Sequence, residues 1–162
     1  MRMKKIALLC ASFMVALAAH AQFEQGKVYC GASLSGLNLS YNGTSDLNLG
    51  IQGQAGYLFA DNLMGVGQLS YQHTGKDGVK DYVSVGAQGR YYIIQNGLYL
   101  GAGAKFIHTG SYNDVMPGVE VGYAFFVSKT VTIEPALYYD QSFKNHSDYS
   151  TIGLRIGVGV YL

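Results

Sequence analysis

Apolar side chains alternate with small or polar ones at a period of two through most of this chain, and the alternation runs to its last residue. Successive side chains of an extended strand point to opposite faces, so such a pattern builds sheet and no helix. The final segment is the clearest. Ile152, Leu154, Ile156, Val158, Val160 and Leu162 share one face, and Thr151, Gly153, Arg155, Gly157, Gly159 and Tyr161 share the other. The same division recurs around Leu47–Phe59, Val83–Ile93, Leu98–Phe106, Val115–Val127 and Val131–Tyr139. The strands near Val28–Tyr41 and Leu63–His73 alternate less cleanly, and their faces stay unassigned from sequence. Eight antiparallel strands are expected.

The connectors alternate in length. Ala60-Asp61-Asn62, Gln95-Asn96-Gly97 and Ser128-Lys129-Thr130 read as tight turns. Asn42 to Asp46, Thr74 to Asp81, Thr109 to Asp114 and Gln141 to Asp148 read as longer polar loops. Short turns on one end and longer loops on the other match a bacterial outer-membrane barrel, with turns toward the periplasm and loops outside. An even strand count puts the N- and C-termini of the mature chain in the periplasm. Pro135 sits inside a strand and cannot donate to a ladder, so a bulge or local gap is expected there. Pro117 raises the same issue near a strand end.

Alternation does not say which face is outside. A soluble ligand carrier of the lipocalin type would turn the apolar face inward and carry a charged exterior. Only 13% of residues are charged, against about a quarter in soluble domains. The polar face is mostly Gly, Ser, Thr, Gln and Tyr, which suits a crowded interior. The apolar face also carries aromatics at two levels, as a membrane barrel does. Tyr57, Phe59, Tyr91, Tyr123 and Phe125 lie near the short turns and form a periplasmic-side belt. Tyr41, Tyr71, Phe106 and Tyr139 lie near the long loops and form an outer-side belt. The fold expected is an all-β, eight-stranded antiparallel up-and-down transmembrane β-barrel.

Residues 1–21 read separately. Arg2, Lys4 and Lys5 precede an apolar run from Ile6 to Ala19, and Ala19-His20-Ala21 supplies small residues where a signal peptidase reads. The run falls short of the roughly 20 residues a spanning helix needs. A secretory signal cut between Ala21 and Gln22 is expected, leaving residues 22–162 as one barrel domain. Without Arg2, Lys4 and Lys5, 8 basic residues stand against 10 acidic ones. That balance gives no basis for nucleic acid binding. The mature chain keeps one cysteine, Cys30, which excludes an internal disulfide and reads as a small buried residue.

Gly56-Tyr57-Leu58-Phe59-Ala60-Asp61-Asn62-Leu63 forms a strand, an Asp-Asn turn and the next strand. Together with Ile133-Glu134-Pro135-Ala136-Leu137-Tyr138-Tyr139 and the terminal strand, it resembles the outer membrane protein β-barrel domain family, the small OmpA/OmpX-like "porin family" proteins. The resemblance covers essentially the whole mature chain. It implies a cell-envelope protein of the Gram-negative outer membrane. Outer-membrane lipid would surround it, and the barrel-assembly machinery would read its C-terminal strand during insertion. That strand commonly ends in an aromatic, and here Tyr161 stands one position early.

Five charged residues share the inner parity: Arg90, Lys105, Glu120, Glu134 and Arg155. Buried ions are costly unless paired. We expect them to form, with Gln52 and Gln88, a network that plugs the lumen. Eight strands enclose only enough room for side chains. A narrow channel for small solutes or ions is the alternative.

A lipid A-modifying enzyme is the second alternative. It needs a serine, a histidine and an acid within mutual reach. His73, His108 and His146 all fall near the loop rim, and adjacent His146 and Ser147 would point apart on an extended segment. Those histidines with Asp77, Asp114 and Asp148 show no metal-ligand spacing. The sequence thus implies no catalytic residue, cofactor or metal. A monomeric, non-enzymatic barrel serving envelope structure or surface interaction through its loops is the expected function.

Overall fold

The computed structural model describes residues 22–37, 48–74, 81–93, 96–110, 112–144 and 150–162. The strands are β1 (Val28–Leu37), β2 (Asn48–Ala60), β3 (Leu63–Thr74), β4 (Tyr82–Tyr92), β5 (Leu98–Thr109), β6 (Tyr112–Tyr123), β7 (Phe125–Phe126), β8 (Val131–Asp140) and β9 (Thr151–Tyr161). Each pairs antiparallel with its neighbours. β9 pairs with β1, and β6 pairs with β8, so the sheet closes on itself. β7 continues β6 past Ala124 and lies against the same strand, β8. The wall is therefore an eight-stranded barrel.

The inside-outside assignment follows burial. Ile51, Leu69, Val85, Val119 and Ile156 point outward and are 52–59% exposed. So broad an apolar exterior is incompatible with water and natural in hydrocarbon. Arg90, Glu120, Glu134, Gln52, Gln54 and Ser84 point inward and are buried. The aromatics Tyr57, Phe59, Tyr91, Phe125, Tyr71, Phe106 and Tyr139 are exposed on the outer wall, and Tyr123 is half-buried there. Tyr41 lies outside the described residues.

The two strands with unclear faces resolve simply. β3 turns Met64 and Val66 inward, both buried, and Gly65 and Gly67 outward. Apolar residues inside and glycines outside invert the usual contrast and blur the pattern. β1 turns Tyr29 and Ser33 inward and Cys30 outward. Cys30 is thus exposed on the outer wall, contrary to the buried position expected from its size. Hydropathy does not separate it from the residues that line the lumen.

The connector expected over Thr109 to Asp114 is also shorter than read. β5 runs to Thr109 and β6 begins at Tyr112, with Gly110 at φ 50° between them. Asn113 and Asp114 belong to the strand and pair with His108 and Ile107. Polar residues there mimic a loop because the strand end lies beyond the apolar band. The turn after β2 is tight, with Asn62 in the left-handed region at φ 64°, which asparagine tolerates well. Asn42 to Asp46 and the centres of the loops after β3 and β8 lie outside the described residues.

Apart from the two-residue β7, the shortest ladder among the described residues is the one between β6 and β8. β6 pairs with β8 only from Gly118 to Gly122, whereas β5 and β6 pair from Leu98 to Thr109. Pairing lapses opposite Pro135, between Gly122↔Ala136 and Phe125↔Ile133. The gap expected at this proline lies on that side, while its register with β9 stays regular at Ile156. At the other end Gln141 donates its N–H to the Pro117 carbonyl at 2.8 Å. Amides of β8 that donate to β6 should exchange in micelles ahead of those that donate to β9, because short ladders open first. Equal protection by NMR-detected exchange would show the seam to be as tight as the rest.

Candidate functional site

The lumen is filled in layers. At the turn end lies an apolar and aromatic layer. The segment before β1 folds across the mouth, with the Asn62 N–H donating to the Phe23 carbonyl and the Gly26 N–H to the Leu58 carbonyl. This seats the Phe23 ring inside the barrel, fully buried. The ring stacks on Tyr92 at 3.8 Å with 12° between planes, and meets Phe126 and Tyr161 edge-on at 5.6 and 5.5 Å. Leu58, Met64, Val66 and Tyr99 complete the layer. The Tyr92 and Tyr161 hydroxyls bond to each other at 2.8 Å, so their polar tips are satisfied.

Above this layer stands Arg90 of β4, 1% exposed. Its Nε donates to Glu120 Oε1 at 2.9 Å, its Nη1 to Glu134 Oε2 at 3.1 Å and its Nη2 to Gln54 Oε1 at 2.7 Å. The guanidinium also lies over the rings of Tyr99 and Tyr29, at 4.7 and 5.4 Å from their centroids. A planar, delocalised cation is suited to such a site.

Both carboxylates are used further. Glu134 accepts from Tyr29 (2.9 Å), Thr132 (2.7 Å) and Tyr161 (3.0 Å). Glu120 accepts from Gln88 Nε2 (2.8 Å) and Arg155 Nη1 (2.9 Å). Arg155 in turn stacks over Tyr138 at 4.6 Å.

The inward glycines make room for these groups. A Cβ on Gly101 would stand 2.5 Å from Glu120 Cγ, and one on Gly159 2.6 Å from Glu134 Oε1. Glycine stands at these inner-face positions because side chains of the neighbouring strands occupy the space a Cβ would need.

Four of the five charged residues singled out in sequence therefore meet: Arg90, Glu120, Glu134 and Arg155. Gln88 joins them. The fifth, Lys105, lies higher and pairs with Asp140 at 2.6 Å. Gln52 bonds Gln68 instead of the ions. Sequence reasoning missed Asp140, Gln54, Tyr29, Thr132 and Tyr161 as partners. Asp140 carried a usable signal, since it has the inner parity of β8 and an unmatched charge. Between the two ionic levels lies a small polar cavity of about 30 Å³, bordered by Gln52, Gln68, Gln88, Lys105, Tyr138 and Arg155. By volume it suits a water or two.

At the loop end, Asp81 accepts from the Tyr71 hydroxyl at 2.7 Å and lies 2.9 Å from His73 Nδ1. His108 bonds Asn113, and Asp114 accepts from Ser142 and Tyr112. The residues once weighed for catalysis, His146 and Ser147, lie outside the described residues, as do Asp77 and Asp148. Among the described residues no three His, Cys, Asp or Glu side chains gather as a metal set. Chemically, the lumen holds ions paired with one another and with neutral hydroxyl and amide donors, while the buried Arg155 Nε has no hydrogen-bond partner among the described residues. That arrangement fills and braces the barrel.

The outer membrane protein beta-barrel domain family matches residues 7–162. No curated protein matches the chain by sequence. Among solved structures, the N-terminal β-barrel domain of Pseudomonas aeruginosa OprF aligns with a TM-score of 0.63 at 16% identity, covering 85% of this chain and 98% of that one. Neisserial surface protein A aligns at 0.62 and 21% identity, covering 83% and 95%. Yersinia pestis outer membrane protein Ail, in a phospholipid bilayer nanodisc, aligns at 0.57 and 17% identity, covering 85% and 100%. At these identities the likeness is one of fold.

Proposed function

The chain belongs to the outer membrane protein beta-barrel domain family and is an integral outer-membrane barrel; from that premise we propose that it is a closed, non-enzymatic envelope protein whose lumen is sealed. Export would use residues 1–21 as a signal cut between Ala21 and Gln22. The turn end and both mature termini would face the periplasm, and the loops would face outside. Outer-membrane lipid surrounds the wall in this reading, and the assembly machinery reads the outward row of β9, with Tyr161 at the end of the strand turned inward and Leu162 just past it. The protein acts as a monomer in envelope integrity or surface contact through its loops.

The observation that supports the sealed lumen best is Arg90, fully enclosed and bonded to Glu120, Glu134 and Gln54 at once. An ion crossing the barrel would have to displace a buried, doubly paired guanidinium, at a cost of several kcal/mol. Phe23 closes the passage a second time below it.

The test is purification from outer-membrane extract, with boiled and unboiled lanes compared for the heat-dependent mobility of a folded barrel. The unboiled protein is then inserted into planar bilayers. No unitary current steps are expected. Steady, ohmic steps would overturn the sealed reading in favour of a narrow channel. Recovery as a soluble periplasmic protein would overturn the membrane placement itself.

A further inference from the structure

We propose that Gln22 closes on itself to a pyroglutamyl lactam, so that the mature chain ends in a neutral ring at the barrel mouth. The proposal rests on the reading that residues 1–21 are a signal cut between Ala21 and Gln22. That cut makes a glutamine the first residue and gives it an α-amine. The α-nitrogen attacks the side-chain carbonyl carbon, Cδ, of the same residue. The N–Cδ bond forms and the Cδ–Nε2 bond breaks. A proton passes from the α-nitrogen to Nε2, which leaves as ammonia. The step consumes no water, oxidant or reductant. Its product is a five-membered lactam, and the terminal charge is gone.

Three features of the mouth favour a neutral end. Phe23, the next residue, is fully buried in the aromatic layer. A single residue therefore separates a terminal ammonium from that layer, where an unpaired charge is costly. An aminopeptidase that removed Gln22 would move the ammonium onto Phe23 itself, and a lactam offers such an enzyme no α-amine. Secondly, Lys27 donates from its ammonium to the Gln22 carbonyl at 3.3 Å. A carbonyl oxygen lies within about 4 Å of the nitrogen of its own residue, so an α-ammonium would share this corner with a second cation. Like charges at that range favour the neutral amine, which is the nucleophile. Thirdly, ring closure uses the α-amine and the side-chain amide and leaves the Gln22 carbonyl, the atom that Lys27 holds. The bonds that seat the segment stay as they are, from the Asn62 N–H to the Phe23 carbonyl at 2.9 Å and from the Gly26 N–H to the Leu58 carbonyl at 2.8 Å.

The test is the intact mass of the protein purified from outer-membrane extract, read on the boiled chain before any digestion. Expected is a mass about 17 Da below that of residues 22–162 with an open glutamine, the loss of one ammonia. Gln22→Ser should show no such deficit. Pyroglutamyl aminopeptidase should remove the ring from the boiled chain and open it to sequencing from Phe23. On the folded barrel it should act at least about tenfold more slowly, because the bond it cuts adjoins a buried residue and becomes reachable only on local opening. The full mass of residues 22–162, with sequencing that reads Gln22 directly, would overturn the lactam and leave the cut standing. A chain that begins at any other residue would overturn the cut and the lactam with it. A deficit that persists in Gln22→Ser would place the lost ammonia elsewhere and overturn the proposal. Equal release of the ring from folded and boiled protein would overturn its seat at the mouth.

Discussion

Arg90→Met lowers the unfolding free energy of the refolded barrel by about 3–5 kcal/mol, the range seen when one partner of a buried ion pair is removed. The substitution keeps volume and removes charge. It leaves Glu120 with Arg155 and Gln88, and leaves Glu134 with hydroxyl donors alone. Glu134 suffers most, because its single cation partner among the described residues is Arg90. Adding Glu134→Gln to Arg90→Met should therefore recover a good part of the loss, since a neutral amide tolerates burial better than a stripped carboxylate. Urea titration in micelles, read by the unboiled-band mobility, measures both. A single variant with the parent's midpoint would show that the network contributes nothing to stability. A double variant no better than the single one would place the cost in packing against Tyr29 and Tyr99 instead of in charge.

Phe23→Ala is the second large effect. A buried phenylalanine cut to alanine typically costs about 3–5 kcal/mol. Here the ring is fully buried, stacked on Tyr92 and edge-on to Phe126 and Tyr161. The backbone bonds of Gly26 and Asn62 hold the segment in place without the ring, so the loss falls on the aromatic layer. The midpoint should drop, while current steps stay absent because Arg90 still blocks the passage above. Phe23→Leu should restore much of the stability. A Phe23→Ala barrel of parental stability would mean that the ring adds no support to the mouth.

The alternation read along the chain carried the barrel and the face of most strands, since period two is a property of each strand alone. It failed where local contrast was inverted, at Met64 and Val66 inside against Gly65 and Gly67 outside. It also misplaced Cys30, whose size and hydropathy fit either face. The Thr109 to Asp114 segment looked like a loop because polarity and strand geometry part company beyond the lipid band. For the lumen, parity identified the inward ions but not who meets whom. Arg90 reaches Glu120 and Glu134 across the barrel, from β4 to β6 and β8. Such contacts depend on the stagger between strands around the ring, which no single strand records. Lys105 illustrates this: it shares the inner parity yet lies at the height of Asp140. Phe23 was out of reach for a related reason, as a residue outside every strand whose place is set by the mouth it fills.

The Phe23 pocket has walls from opposite ends of the chain: Tyr92 from the fourth strand, Phe126 from just past the sixth and Tyr161 from the next-to-last residue. It cannot exist until the final strand has joined the first. A barrel arrested before closure would leave residues 22–27 without the seat for Phe23 and the segment more open to proteolysis. A finished barrel withdraws it. The residue that braces the complete barrel is thus seated only once the last strand has met the first, so its burial reports ring closure.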